Sequence, residues 1–256
     1  MKVAIIFIGT NKYLNFLPTY YQGIMDNFLP NSQKIICAFT DGHLDANAPR
    51  EIKVYKQEHL AWPQITLKRF EIIKKARNFI ETCDWLVFLD ADTRVVSPIT
   101  EEEFFTDKPY FGVHHPCHAM KMWPHFRDDT DQQHPGAYEY TDQPFKGIHS
   151  RASVTREEMP EIYIQGCLWG GKVPQVLDMI DELDSRVEED LANDLIAVWH
   201  DESHLNKFYS ENINDFHILG PEYAYPEVFD SEMTHYNCNW EKKIVHLKKD
   251  NSAYQI

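Results

Sequence analysis

Trp85-Leu-Val-Phe-Leu-Asp-Ala-Asp92 is a run of five apolar residues that ends on two acids one residue apart. An apolar run without polar alternation reads as a strand buried on both faces, as in a parallel sheet covered by helices. Ligands of such sheets collect beyond the carboxyl ends of the strands, which is where Asp90 and Asp92 fall. Extended backbone points alternate residues the same way, so both carboxylates can address one cation. Hard oxygen donors suit Mn2+ or Mg2+, with diphosphate oxygens in the remaining positions. The competing reading is a turn with two solvated aspartates, and the place at a strand's carboxyl end favours the cation.

Working outward, Lys2-Val-Ala-Ile-Ile-Phe-Ile8 is another such run, closed by Gly9-Thr10-Asn11. Lys34-Ile-Ile-Cys-Ala-Phe-Thr40 and the shorter Ile52-Lys-Val-Tyr55 read as two more strands. Residues 14–28 have helical spacing of apolar side chains. Over 64–82, Ile65, Phe70, Ile72, Ile73, Ala76, Phe79 and Ile80 share one broad face, which predicts an amphipathic helix. Strands alternating with helices at this spacing imply an α/β fold with an open, mostly parallel sheet in residues 1–112. From residue 113 the texture changes, with six histidines and several prolines up to His149, and predicts loop. Ile162-Tyr-Ile then reads as a short strand entering a glycine-rich turn, followed by helices over 173–183 and 188–199. The end, 247–256, is polar and aperiodic, and mobility is expected there.

With 25 Lys plus Arg against 40 Asp plus Glu, the chain of 256 residues carries a formal charge of -15. It repels phosphate backbones and anionic lipid surfaces as a whole, so a nucleotide has to be held by a local device such as a cation or a few placed basic side chains. Nucleic acid is an unfavoured partner. The five cysteines are scattered without a C-x-x-C pair, which points to a reducing, cytoplasmic setting. No stretch is long and apolar enough for a transmembrane helix, and no cleaved leader is expected.

Three further segments carry functional side chains. Trp199-His-Asp-Glu-Ser-His-Leu-Asn206 sets three polar residues in a row after an apolar stretch; the plainer alternative is a helix start, with a cap and a favourable dipole partner. Tyr163-Ile-Gln-Gly-Cys-Leu-Trp-Gly-Gly171 has glycines that let backbone approach a ligand, or simply a tight turn between packed elements. His114-His-Pro-Cys-His118 invites zinc, but its spacing fits no common structural zinc pattern.

Together these segments resemble glycosyltransferase family 6, the family of the histo-blood-group A and B transferases and the α-1,3-galactosyltransferase. The likeness is most specific at Trp199-His-Asp-Glu-Ser-His-Leu-Asn-Lys207, and is supported by Asp90-Ala-Asp92, Tyr163-x-x-Gly and Gly170-Gly171. Leu219-Gly-Pro-Glu-Tyr223 and Val245-His-Leu-Lys-Lys249 match later family segments in order.

The resemblance implies a GT-A type fold, Rossmann-like with flanking helices and a smaller acceptor-binding part. Residues 1–112 would form a nucleotide-sugar-binding half and 113–256 an acceptor-binding and catalytic half of one integrated domain. It implies a retaining hexosyltransferase that moves galactose, N-acetylgalactosamine or another hexose from a UDP-sugar, in α-1,3 linkage, to an oligosaccharide or glycolipid-type acceptor. Asp90 and Asp92 match the metal and diphosphate anchors. Ile8 and Tyr13 fall where the family holds the uridine, Trp62 and Arg69 in a loop and helix that close over the donor, and Lys248 with Lys249 where a tail lysine reaches the leaving diphosphate. Gln165, Gly166 and Cys167 occupy the donor-specificity triplet, and His200 and Asp201 match donor-sugar contacts. His115 and Trp199 match acceptor contacts, and Glu202 the carboxylate proposed as nucleophile or stabiliser of an oxocarbenium-like transition state.

The chemistry agrees with these roles. A departing UDP gains negative charge, so a divalent ion and lysines aimed at it favour the transition state. Retention needs a carboxylate opposite UDP, for which Glu202 is the choice, or front-side attack guided by the diphosphate. The chain departs from the family at Cys117, His118 and Pro226, where Pro226 replaces a common acceptor-binding acid. It keeps both acids that some soluble bacterial-type members replace, and beginning at the first strand it is expected to be of that soluble type. Two rival classes are weighed. A sugar-1-phosphate nucleotidyltransferase would show a glycine-rich phosphate loop where Ile8-Gly-Thr-Asn11 is poor in glycine. A non-catalytic glycan-binding protein on the same scaffold would not need Asp90, Asp92, Glu202 and Lys248 together.

Overall fold

The structure, a computed structural model, describes residues 1–44, 47–122, 138–139, 149–229, 236 and 238–249. Strand β1, Lys2–Ile8, alternates Val3, Ile5 and Phe7 into one apolar layer with Ala4 and Ile6 into the other, so Val3 to Phe7 are all buried. A 3-10 turn over Asn11–Phe16 precedes helix α1, Leu17–Asn27, where the 14–28 periodicity predicted one helix. Pro18 at the second helical position has no amide hydrogen to lose there. Strands β2, Gln33–Thr40, and β3, Ile52–Lys56, follow as expected.

The helix expected over 64–82 is three short pieces: α2, Gln64–Leu67; α3, Arg69–Lys74; and α4, Arg77–Ile80. Lys68 and Ala76 sit near ψ = 10° and 7°, and tighter bonds such as Ala76 N–H to Ile73 O (3.0 Å) bridge the break before α4. Leu67, Phe70, Ile73, Ala76 and Ile80 stay on one buried face. The kinks therefore redirect the backbone without giving up the apolar stripe, and Arg69 comes to lie at a helix start.

Strand β4, Trp85–Leu89, runs parallel to β1 and delivers Asp90 and Asp92 at its carboxyl end. Strand β5 is Thr93–Val95, and α5, Glu101–Phe104, opens with a reciprocal Thr100–Glu103 capping box. Strand β6, Tyr110–His114, runs into the stretch read as loop from residue 113, and α6, Pro116–Met120, lies within it; residues 123–137 and 140–148 lie outside the described residues.

The largest correction concerns the glycine-rich segment, which is a nine-residue strand, β7, Ile164–Lys172, rather than a turn. It runs antiparallel between β4 and β6. Its glycines answer to crowding: a Cβ on Gly170 would stand 2.1 Å from Leu86 O and 2.6 Å from the Phe111 ring. The two helices expected next are a single α7, Val173–Ala192, because nothing between Asp184 and Val187 breaks the amphipathic pattern. It stops at Asn193 and Asp194, the latter left-handed at φ 56°. Helix α8 is Asp201–Glu211, and β8 (Phe216–Leu219), β9 (Tyr225–Pro226) and β10 (Ile244–His246) complete the chain.

The main sheet has the order β3-β2-β1-β4-β7-β6-β8 and is parallel except for β7; β5-β10-β9 forms a small second sheet. Helices α3, α7 and α8 pack on one face with Phe88 and Trp169, and α1 with Phe104, Phe111 and Tyr223 on the other. This is a GT-A type α/β arrangement. The sheet takes strands from both sides of residue 112, with β6 spanning that point.

Gly170→Ala is expected to cost about 2–3 kcal/mol, because the clashing partner is strand backbone and cannot rotate away. That is a drop of roughly 4–12 °C in melting temperature. Thermal melts read by circular dichroism check it, and a midpoint shifted by less than about 1 °C would mean that the strands yield freely.

Candidate active site

The carboxyl ends of β1, β4 and β10, the amino-terminal part of β7 and the starts of α3 and α8 meet at a single place. Beyond β4 the ladder continues for one more bond, Asp90 N–H to Cys167 O at 2.9 Å, which ties the acid pair to β7. Thr93 turns the chain at once, its hydroxyl donating to Asp90 O at 2.6 Å. Ile8 ends β1 level with Asp90, since Ile6 pairs with Phe88 in the parallel register.

Arg69 is the hub. Its guanidinium donates to Asp90 Oδ1 (3.1 Å), to Asp201 Oδ2 (2.5 Å) and to Gly166 O (3.0 Å), and lies over the Phe88 ring at 4.4 Å. The side chain is only 11% exposed. Burial works against its charge, yet Asp201, Asp90 and Glu202 around it raise its pKa. Asp201 is buried and is pushed up to about 7 by loss of solvent, with Arg69 pulling down and Asp90 adding to the rise.

Glu202 hangs under β7 by both oxygens. Oε1 accepts from Tyr163 Oη at 2.8 Å, and Oε2 from the Gly166 amide at 2.7 Å. Its carboxyl is pushed up to about 7, first by burial, against these two hydrogen bonds. Gly166 gives Glu202 close approach here: a Cβ would meet Glu202 Cβ at 3.1 Å and Oε2 at 3.3 Å. Asn206, one turn along α8, fixes the register by donating to Ile164 O (2.7 Å) and Glu202 O (2.9 Å) while accepting from Ile164 N–H (2.9 Å). The turn before α8 is strained, since His200 sits at φ 53°, ψ −125°, a region that non-glycine residues avoid and that clusters at functional sites. Its ring meets Trp62 edge-on at 4.9 Å, and Trp62 is 70% exposed on the segment before α2.

Of the triplet Gln165-Gly166-Cys167, Gly166 and Cys167 are buried and Gln165 is half-buried with Oε1 shielded and unpartnered among the described residues. Burial, with Asp90 and Glu202 nearby, pushes the Cys167 thiol well up, so it stays protonated. His115, buried, caps α6 by accepting from the Cys117 amide at 3.1 Å and lies beside the Tyr163 ring. Burial, then His118, His114 and His246, lowers it to about 3, so it is neutral. His114 and His118 form a 2.9 Å ring-to-ring hydrogen bond. Trp199 donates its amide to Ser203 Oγ at 3.0 Å, while its indole Nε1 is buried and unpartnered among the described residues.

The tail supplies cations. Lys249 forms an ion pair with Asp92, donates to Tyr13 Oη at 2.8 Å, and its charge is further favoured by the Tyr13 ring at 4.8 Å. Lys248 is exposed, and its amide donates to Glu227 at 3.1 Å. The site thus gathers Lys249 rather than Lys248. Burial opposes charge on Asp92, yet His246 and Lys249 hold its carboxyl below the usual range. The ligand atoms of Asp90, Asp92 and His246 lie within 4.8 Å of one another, a donor set fit for a divalent ion. His246, Tyr163 and Asn206 carry no role in the sequence reading, although all three lie inside its quoted motifs. Only for Asn206 was there a usable signal, its i+4 spacing from Glu202 on one helix face.

Comparison with known proteins places this geometry. Over 258 residues the chain is 27% identical to the O-antigen biosynthesis glycosyltransferase WbnI of Escherichia coli, covering 99% of this chain and 97% of that protein. It is 26% identical over 233 residues to the histo-blood group ABO system transferase 1 of Rattus norvegicus, and 22% identical over 237 residues to the globoside alpha-1,3-N-acetylgalactosaminyltransferase 1 of Homo sapiens. The aligned regions cover 88% and 89% of this chain but 61% and 62% of those two proteins. Among the described residues no helix is long and apolar enough to cross a membrane. Because the sequence profile of glycosyltransferase family 6 matches residues 1–252, and so every element that meets at this site, the chain belongs to that family.

Proposed function

We propose that the chain is a retaining hexosyltransferase, dependent on Mn2+ or Mg2+, that moves a hexose from a UDP-sugar in α-1,3 linkage onto a glycan acceptor. The observation that carries this reading is Glu202, held by Tyr163 and the Gly166 amide beside the Asp90–Arg69–Asp201 bridge. Asp90 and Asp92 would hold the metal, which when bound neutralises charge developing on the leaving diphosphate. Lys249 stands where it can turn its ammonium from Asp92 to the same diphosphate, and Tyr13 and Ile8 flank a uridine at the end of β1. Asp201 and His200 face the donor sugar, Trp199 and His115 the acceptor, and Trp62 closes over both.

As the glycosidic bond breaks, the anomeric carbon becomes positive, and an ionised Glu202 stabilises it more than it stabilises the neutral ground state. Its two fixed hydrogen bonds leave it little freedom to reorient, so its charge is preorganised. Cys167, a larger residue than the Gly or Ala usual at that place, crowds a 2-acetamido group, which favours galactose among the donors. The five cysteines are free, which agrees with a cytoplasmic setting. The division into a donor half, 1–112, and an acceptor half, 113–256, is proposed on the same footing, with acid pair and nucleotide contacts mostly in the first.

Glu202→Gln keeps shape and loses charge, so turnover should fall at least about 100-fold, or ~2.7 kcal/mol in barrier, with donor affinity little changed. A stable, fully active variant would move the role to Asp201 or to unaided front-side attack. The same variant tests the electrostatics. With its carboxyl raised to about 7, Glu202 contributes stability that is complete below its ordinary value and is lost as pH rises through about 7. Gln is neutral throughout, so the variant should gain on the unaltered protein between pH 5 and 8, on the order of 1 kcal/mol after allowance for partial exposure. Melts in chelator at both pH values read this, and a constant gap contradicts it.

Asp92→Asn should reduce turnover by orders of magnitude and spare the fold, as should chelation of the unaltered protein. Product formation from UDP-galactose and a fucosylated galactoside, followed by mass with and without Mn2+, checks both; full activity in excess chelator rejects metal dependence.

A further inference from the structure

We infer that His246 is a third protein ligand of the ion at Asp90 and Asp92, and that its nitrogen makes the site select a first-row transition ion such as Mn2+ over Mg2+. The inference rests on the metal reading above and specifies its donor set. His246 ends β10, which pairs antiparallel with β5 so that His246 lies opposite Thr93, the residue after Asp92. The next amide, Leu247 N–H, donates to Asp92 O at 2.9 Å. Backbone bonds on both sides therefore fix the imidazole beside the acid pair from a segment 154 positions further along the chain than Asp92.

Donor geometry and donor chemistry agree. The three ligand atoms lie within 4.8 Å of one another. An octahedral ion with bonds of about 2.0–2.1 Å separates neighbouring donors by about 3.0 Å and opposite donors by about 4.2 Å. Small side-chain rotations close the difference. His246 Nε2 is buried and has no hydrogen-bond partner among the described residues, whereas buried polar atoms in folded proteins are nearly always paired. A ligating role accounts for that atom. The Lys249 ammonium on Asp92 indicates that the same pocket attracts positive charge. Two carboxylates alone suit Mg2+ as well as Mn2+, but imidazole favours first-row transition ions, which bind nitrogen more strongly than Mg2+ does.

The test is Mn2+ titration of the protein with UDP, read by the paramagnetic resonance of free Mn2+, with Mg2+ as competitor. His246→Ala should weaken Mn2+ binding at least about tenfold and Mg2+ binding far less, so that the preference for Mn2+ collapses. Spin-echo spectra of bound Mn2+ should show a nitrogen coupling in the unaltered protein. They need no variant, so the inference stays testable even where His246→Ala fails to fold. Unchanged Mn2+ affinity in a folded His246→Ala, or bound Mn2+ without nitrogen coupling, overturns the inference and leaves the metal reading standing. If the unaltered protein with UDP binds no Mn2+, the metal reading falls and takes the inference with it.

Discussion

One buried guanidinium organises the site. Arg69 joins the end of β4 to the start of α8 through Asp90 and Asp201 and grips β7 at Gly166 O. An arginine this enclosed is tolerable only because each of its faces is answered by carboxylate, carbonyl or the Phe88 ring. Removing one partner would strand a buried charge, a change that typically costs several kcal/mol. The break that splits the expected helix at Lys68 is what brings Arg69 to this position, so an irregularity in a helix serves the electrostatics of the centre.

That centre works against the molecule's own field. A chain of formal charge -15 repels a diphosphate at long range, and four of its acids, Asp90, Asp92, Asp201 and Glu202, lie around the site. Burial pushes Asp201 and Glu202 up to about 7, which lowers the negative charge they must carry in the resting protein. Asp92 goes the other way because His246 and Lys249 stand beside it. Asp92 as an ionised anchor thus stands apart from Asp201 and Glu202 as reluctant acids, a division that commonly marks acid, base and ligand roles.

Rigid parts and strained parts are laid side by side. Asn206 clamps α8 to β7 with two hydrogen bonds to Ile164, and Gly166 lets Glu202 close against the strand. Immediately before α8, His200 holds a backbone conformation that an ordinary turn would avoid and rests against the exposed Trp62. Strain next to a clamp persists because the clamp over-determines it. Any ligand that engages Trp62 and His200 therefore meets an exposed ring and a strained turn backed by a fixed carboxylate.

Periodicity and motif in the sequence alone settled the α/β class, the buried strands β1, β2 and β4, and the placing of Asp90 and Asp92 at a strand's end, because these are local consequences of side-chain alternation. The motif through Glu202 was legible as a unit, since its residues are neighbours on one helix turn. Local reading failed at β7: glycines normally signal turns, and only the approach of Leu86 O and Phe111 reveals that here they admit a crowded central strand. It failed also for the split helix, whose course depends on the sheet beneath, and for α7, whose unbroken amphipathic pattern was read as two helices. The conjunction of His246 with Asp92, of Lys249 with Tyr13, and of Tyr163 with Glu202 was decided by tertiary structure, because these pairs lie from 39 to 236 positions apart. No pattern of neighbours encodes such distances; they exist only once the sheet orders its strands and the tail returns along β5.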